Sequence, residues 1–170
     1  QVARIRRLLG NTRVSKIVSE GRGRPVRFGS YTGRTPYAGT RSSGRDTSRI
    51  EPLFEDFYNR IEEKPELKAQ LHRLGRWPSK DLARFYNAGA AEKKVYKSGA
   101  KKAGKEYVNR NWKYRLITQP DDREMMTRHE MQTECPDILV TNYSMLEYML
   151  MRPIERVIFD ETARWLQADD

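Results

Sequence analysis

Two groups of short polar side chains, each placed directly after an apolar run, are the residues of this 170-residue chain best suited to chemistry. Thr32, Gly33 and Arg34 follow the alternating stretch 26–31, and Thr141, Asn142 and Ser144 follow Ile138-Leu139-Val140. Hydroxyls, an amide and a guanidinium at strand ends bind phosphate oxygens. An arginine supplies a charge-assisted hydrogen bond there, and contacts of this kind hold the sugar-phosphate backbone without reading bases. Gly33 permits a close backbone approach or a positive φ. Asn142 or Ser144 caps the start of a helix, whose remaining N–H groups and positive dipole end then face an anion.

Other candidates are weaker. Val157-Ile158-Phe159-Asp160-Glu161 imitates the strand of an NTPase that holds Mg²⁺ and positions the attacking water. Arg156 interrupts that apolar run, however, and Phe159, Ala163 and Leu166 recur at helical spacing beside Ile158, Thr162 and Trp165. The spacing therefore predicts a helix over 154–168, after Pro153. His129 and Cys135 suggest a metal, but a zinc site needs about four ligands and the chain has one Cys and two His. The sequence contains no GxxxxGK[ST] phosphate loop. No catalytic residue, cofactor ligand or metal ligand is assigned. Trp77, Trp112 and Tyr114 could stack on bases, although aromatics at element boundaries more often plug a core.

Several elements must position these residues. Ile138, Leu139 and Val140 behind Pro136 read as a strand buried on both faces, as in parallel α/β sheets. Tyr143, Leu146, Met149 and Leu150 continue it as a helix. Val26, Phe28 and Ser30 alternate with Arg27 as a second strand, broken by Gly33 and Pro36. Residues 1–9 form an amphipathic helix with Val2, Ile5, Leu8 and Leu9 on its buried face, stopped by Gly10-Asn11. Residues 38–49, rich in Gly, Ser and Arg, read as a mobile loop. Helices are expected over 50–63, from Pro65 to Gly75, from Ser79-Lys80-Asp81-Leu82 onward, and from Asp121-Asp122-Arg123-Glu124 to about Gln132. The Lys-rich segment 90–107 reads as a solvated basic helix or a partly disordered stretch, and 112–118 as a strand. The strands near 26–31 and 137–141 are expected to run parallel in one sheet, with both polar loops on one edge.

The net charge of +10 is uneven. Residues 1–49 carry 12 Lys/Arg against 2 Asp/Glu, residues 50–115 carry 16 against 9, and residues 116–170 carry 5 against 12. A basic excess over the first two-thirds suits a polyanionic partner. The lone Cys135 forms no internal disulfide and fits a reducing compartment, so a cytoplasmic protein is expected. No apolar run reaches the roughly 18 residues of a membrane span. A chain that opens on Gln1 inside a helical pattern and stops at Asp169-Asp170 is expected to be a fragment of a longer protein.

Asp137-Ile138-Leu139-Val140-Thr141-Asn142, followed by Ser144-Met145-Leu146, resembles motif Ib of the DEAD/DEAH-box helicases of superfamily 2. Residues 136–153 as a whole resemble the form found in large bacterial helicases of that class, several of them linked to phage defence. Tyr31-Thr32-Gly33 is similar to the nucleic-acid loop after motif Ia. Residues 1–8 resemble the helix that follows motif Ia, and 120–132 the segment before motif Ib. The resemblance implies an α/β fold, a partial RecA-like parallel sheet of the P-loop NTPase type with a helical, Lys-rich insertion. Residues 1–45 and 113–170 would belong to the RecA-like domain and 46–112 to the insertion. ATP and Mg²⁺ would be bound by the parent protein, through a Walker A loop before Gln1 and a DEAH strand after Asp170, and not by this segment. Its partners would be nucleic acid, DNA ahead of RNA, and a second RecA-like domain of the same parent chain. The alternative is a freestanding basic nucleic-acid-binding module with no enzymatic activity.

Overall fold

The computed structural model describes residues 1–36, 60–82, 84, 92–99, 103–109 and 118–168. In chain order its elements are α1 (Val2–Gly10), α2 (Thr12–Ser19), β1 (Phe28–Tyr31), α3 (Pro65–Arg73), β2 (Glu92–Val95), β3 (Glu106–Asn109), β4 (Glu124–Met125), α4 (Arg128–Thr133), β5 (Ile138–Thr141), α5 (Tyr143–Leu150), a 3₁₀ turn (Pro153–Glu155) and α6 (Arg156–Ala168). Helices pack around a three-stranded parallel sheet of order β4-β1-β5, and β2 pairs with β3 as a separate antiparallel ribbon. The chain is thus α/β, with strands 28–31 and 138–141 parallel as the sequence predicts.

The central strand is β1, and this corrects one expectation. Among the described strands β5 lies at the sheet edge, and Ile138 is exposed and Leu139 and Val140 are only half-buried. Full burial falls instead on Phe28, Gly29 and Tyr31 of β1, because neighbours cover both its edges and helices both its faces. The strand's period of two sends Phe28 to one face and Tyr31 to the other. Phe28 packs with Leu9 and Val26, and with Val2 and Ile5 of α1. Tyr31 packs with Met125, Met131, Met149 and Ile158, backed by Cys135, Leu139, Met145 and Phe159. Gly29 faces this second layer, where the Met131 side chain takes the space a Cβ would need. Leu8, expected on the buried face of α1, is exposed, and Leu9 is the fully buried residue of that face, beside the half-buried Val2 and Ile5. A second helix follows at once, because the Asn11 Oδ1 accepts the N–H groups of Arg13 and Val14 at 3.0 and 3.2 Å and so restarts the chain as α2.

The start of the sheet is held by charge. Asp137 accepts the Arg27 N–H at 2.8 Å and pairs with Arg22 at 2.9 Å and Arg24 at 2.6 Å, while Arg27 also bonds Glu134. Arg6 of α1 grips the buried Glu124 of β4 through two nitrogens, at 2.8 and 2.5 Å. Such bidentate pairing fixes geometry as well as energy. Burial raises the Asp137 carboxyl, but the Arg24 hydrogen bond, the Arg27 N–H and the Arg24 and Arg22 charges outweigh it and hold the group below 3.8, the usual aspartate value.

The segment 120–133 departs from the expected single helix. Glu124 and Met125 are instead a strand beside β1, with Phe28 paired to Glu124 and Gly29 to Met125. α4 starts only at Arg128, behind a capping box in which Thr127 Oγ1 accepts the Glu130 N–H at 3.2 Å and Glu130 accepts the Thr127 N–H at 3.0 Å. The Lys-rich segment is also corrected: its described part is the β2–β3 ribbon, not a helix. Gly99 and Gly104 supply the positive φ of the connection. α3 matches its expected span, with Pro65 at its first turn and Gly75 just past its end. Trp77 is buried beneath Lys68 and His72, which makes it a core plug. The expected helix over 154–168 is present as the 3₁₀ turn and α6. The expected mobile loop 38–49, residues 50–59 of the next helix, most of the helix after Leu82, and 112–117 with Trp112 and Tyr114 lie outside the described residues. Among the described residues, no helix is long and apolar enough to cross a membrane.

Gly75 has φ +66°, and an added Cβ would run into the Ala3 carbonyl of α1. Gly75→Ala is expected to destabilise the chain by more than about 1 kcal/mol, read as a lower urea midpoint. Asp137, depressed in the folded state, stabilises above its unfolded pKa and ceases to do so as pH falls through its folded value. The stability gap between the wild type and Asp137→Asn should therefore be full at neutral pH and close below pH 3.8; a gap that stayed constant in acid would show that the carboxylate charge contributes nothing.

Candidate nucleic-acid interface

Parallel strands end on the same side, and β1 and β5 end in register, Tyr31 beside Thr141. The loop 32–36 and the turn at Thr141-Asn142 therefore sit one strand spacing apart, about 4.8 Å, at the C-terminal edge of the sheet. This is the edge where open α/β sheets place their ligands. The Thr141 Oγ1 donates to the Tyr31 carbonyl at 2.7 Å and ties the two strand ends together.

The first loop is a compact turn built by threonines. Thr35 Oγ1 donates to the Ser30 carbonyl at 2.6 Å and accepts the Thr32 N–H at 2.9 Å. Thr32 Oγ1 accepts the Arg34 N–H at 3.3 Å, and the Thr35 N–H returns to the Thr32 carbonyl at 3.1 Å. A hydroxyl has one proton to give. Thr35 and Thr141 spend theirs on backbone carbonyls, so Thr141 does not offer the phosphate donor that the sequence suggested. The loop presents the exposed Arg34, whose guanidinium has no ion pair among the described residues, and the exposed Gly33. Gly33 is not at positive φ, which corrects that part of the expectation; open space surrounds the place of its missing Cβ, as a close backbone approach requires.

At the second strand end, Asn142 is the cap of α5. Its Oδ1 accepts the Met145 N–H at 2.8 Å and its carbonyl accepts the Leu146 N–H at 2.9 Å. Ser144 is the second residue of the helix and is exposed rather than capping. The N–H groups of Tyr143 and Ser144 are left without a protein acceptor among the described residues and point off the start of the helix. Among the described residues the outward donors of this edge are thus the Arg34 guanidinium, the Asn142 amide nitrogen, the Ser144 hydroxyl and two helix-start amides. They suit one or two phosphate groups.

The six residues named from sequence, Thr32, Gly33, Arg34, Thr141, Asn142 and Ser144, come together at this edge. Arg128, which sequence alone gave no role, lies directly behind the loop. It is buried, its Nη2 donates to the Thr32 carbonyl at 2.8 Å, and its guanidinium lies 5.2 Å from the centre of the Tyr31 ring. The signal for its placement was the Thr127-x-x-Glu130 capping pattern, which fixes where α4 begins.

No other described cluster competes. Asp160 and Glu161 lie on α6, paired with Arg156 and Arg164, so they form no strand-end acidic pair. His129 is half-buried on α4, and burial pushes the Cys135 thiol up, which keeps it protonated and a poor nucleophile or metal ligand. Among the described residues no group of three His, Cys, Asp or Glu could hold a metal. A cavity of about 490 Å³ opens beside Arg24, Cys135 and Trp165, at the opposite edge of the sheet.

Among curated proteins, the chain is similar to the Druantia protein DruE of Escherichia coli (strain UMEA 4076-1), at 62% identity over all 170 residues. The chain spans 9% of the length of that relative. No family model matches it, and no solved structure matches it.

Asn142→Ala removes the acceptor of the Met145 N–H. It should lower the stability of the chain by about 1 kcal/mol, whereas Ser144→Ala, which removes no cap, should leave the denaturation midpoint within about 0.5 kcal/mol of the wild type.

Proposed function

We propose that this chain is part of the nucleic-acid track of a helicase or translocase of the DEAD/DEAH-box class, within a RecA-like domain. The observation that carries the reading is the register of β1 with β5, which sets the Thr32-Gly33-Arg34 loop beside Thr141-Asn142 and the open start of α5. Both loops carry the residues of the motif resemblance, and both offer donors matched to phosphate oxygens. Identity along the whole chain to 9% of the Druantia protein DruE supports reading it as one stretch of a larger machine. The Lys-bearing ribbon and its flanks would then be an insertion into the RecA-like domain, and a second RecA-like domain would close over the strand from the same polypeptide.

The residues of this chain do not fit ATP and Mg²⁺. The sequence has no phosphate loop, and Asp160 and Glu161 are helical and paired with arginines. The segment contributes binding and orientation: the guanidinium and helix-start amides hold the backbone of the strand, and hydrolysis would belong to other parts of the parent.

Contacts to phosphate give nearly sequence-independent binding that weakens steeply with salt. In the full-length protein, Arg34→Ala should reduce the magnitude of the salt slope of oligonucleotide binding by about one ion. Nucleic-acid-stimulated ATP turnover should slow, with unstimulated turnover little changed. Fluorescence anisotropy over a salt series checks this, and an unchanged slope would remove the loop from the track.

A further inference from the structure

Arg128 holds the loop 32–36 from both ends. Its side chain donates to the Thr32 carbonyl at 2.8 Å, and its backbone N–H donates to the Pro36 carbonyl at 2.9 Å. Between these two anchors lie Gly33 and Arg34, the exposed part of the loop. The guanidinium also lies over the Tyr31 ring, at 5.2 Å, within the range of a cation–π contact. That ring cannot turn away, because its hydroxyl donates to the buried Glu155 at 2.6 Å and receives Gln132 at 2.8 Å. Arg128 itself is held by the capping box of α4. It is buried and directed at a carbonyl, so it supplies no charge to solvent at the edge.

We infer that Arg128 is the positioning residue of the phosphate-facing loop, a clamp that presents Arg34 without touching the ligand. The inference deepens the track reading and rests on it. It makes a distinction that sequence cannot: two arginines at one edge, one that contacts phosphate and one that aims it. Loss of a contact changes the number of ions released, whereas loss of aim lowers affinity at every salt concentration and leaves the slope alone.

The test compares full-length wild type, Arg34→Ala, Arg128→Lys and Arg128→Gln. Binding of a labelled single-stranded DNA of mixed sequence is measured over a salt series, and hydrogen exchange is followed across residues 31–36. Arg128→Gln should bind about tenfold more weakly at every salt concentration, with the wild-type slope, while Arg34→Ala loses about one ion from the slope. Arg128→Lys keeps one donor for the Thr32 carbonyl and should recover part of the affinity. Exchange at 31–36 should rise in the order wild type, Lys, Gln. An Arg128 variant that lowers the slope by one ion, binds as the wild type does, or leaves exchange at 31–36 unchanged overturns the inference. So does a loss of affinity no greater than the unfolded fraction measured in the same samples. If the wild type itself fails to bind, the track reading falls, and the exchange measurement still decides whether Arg128 clamps the loop.

Discussion

The described fold depends on one buried carboxylate, Glu130. Its Oε2 accepts the N–H groups of Met126 and Thr127 at 2.8 and 3.0 Å, which closes the start of α4. Its Oε1 accepts Lys80 Nζ at 2.7 Å and Thr118 Oγ1 at 2.9 Å, which brings in two distant segments. Lys80 has no exposed side-chain surface and also bonds Asp122 at 2.6 Å. A buried charge is tolerated only when it is paired and hydrogen-bonded, so these three segments are held to one another through it. The first of the two loops at the C-terminal edge of the sheet follows. The capping box fixes where α4 begins, that start places Arg128, and Arg128 holds the loop that displays Arg34.

How far this was legible in the sequence differs between pattern and partner. The two strand ends, the Asn142 cap and the helix after Pro153 follow from local rules, since periodicity and cap chemistry act within a few residues. The central position of β1 is not local. Ile138-Leu139-Val140 is the more apolar run, yet it takes the edge, because sheet order is set by which strands find partners on both sides. β4 was hidden for a related reason. Two residues carry no period, and an acidic stretch before Met125 looks like a helix start until Arg6 is known to meet Glu124. The Lys-rich ribbon misled through composition: a preference for solvent says nothing of whether the backbone is helix or strand, and β2 and β3 pair antiparallel.

The candidate site was legible in its membership and not in its wiring. Residue types showed that threonines, asparagine, serine, glycine and arginine gather at two strand ends. Types cannot show which way a hydroxyl spends its single proton. Thr35 and Thr141 turn inward and become scaffold, while Arg34, Asn142 and the helix-start amides turn outward. Arg128 was invisible as a partner of this loop because its target is a carbonyl 96 residues away in sequence, and backbone acceptors leave no mark on composition.

The same distinction applies to the charge. The first 49 residues hold 12 basic side chains, which reads as a broad phosphate-binding face. Four of those side chains are engaged by carboxylates inside the protein. Arg6 is spent on Glu124, Arg22 and Arg24 on Asp137, and Arg27 on Glu134, all on the side of the sheet away from the two polar loops. A cation already paired with a carboxylate releases no counterion when phosphate arrives, so it adds little to the electrostatic term of binding. Among the described residues, what remains at the loop edge is Arg34, with Asn142 and the α5 amides as neutral donors. What the described residues offer a phosphate at this edge is therefore geometry more than charge density. Arg128, which fixes the loop through the Thr32 carbonyl, therefore matters to that geometry as much as the Arg34 it displays.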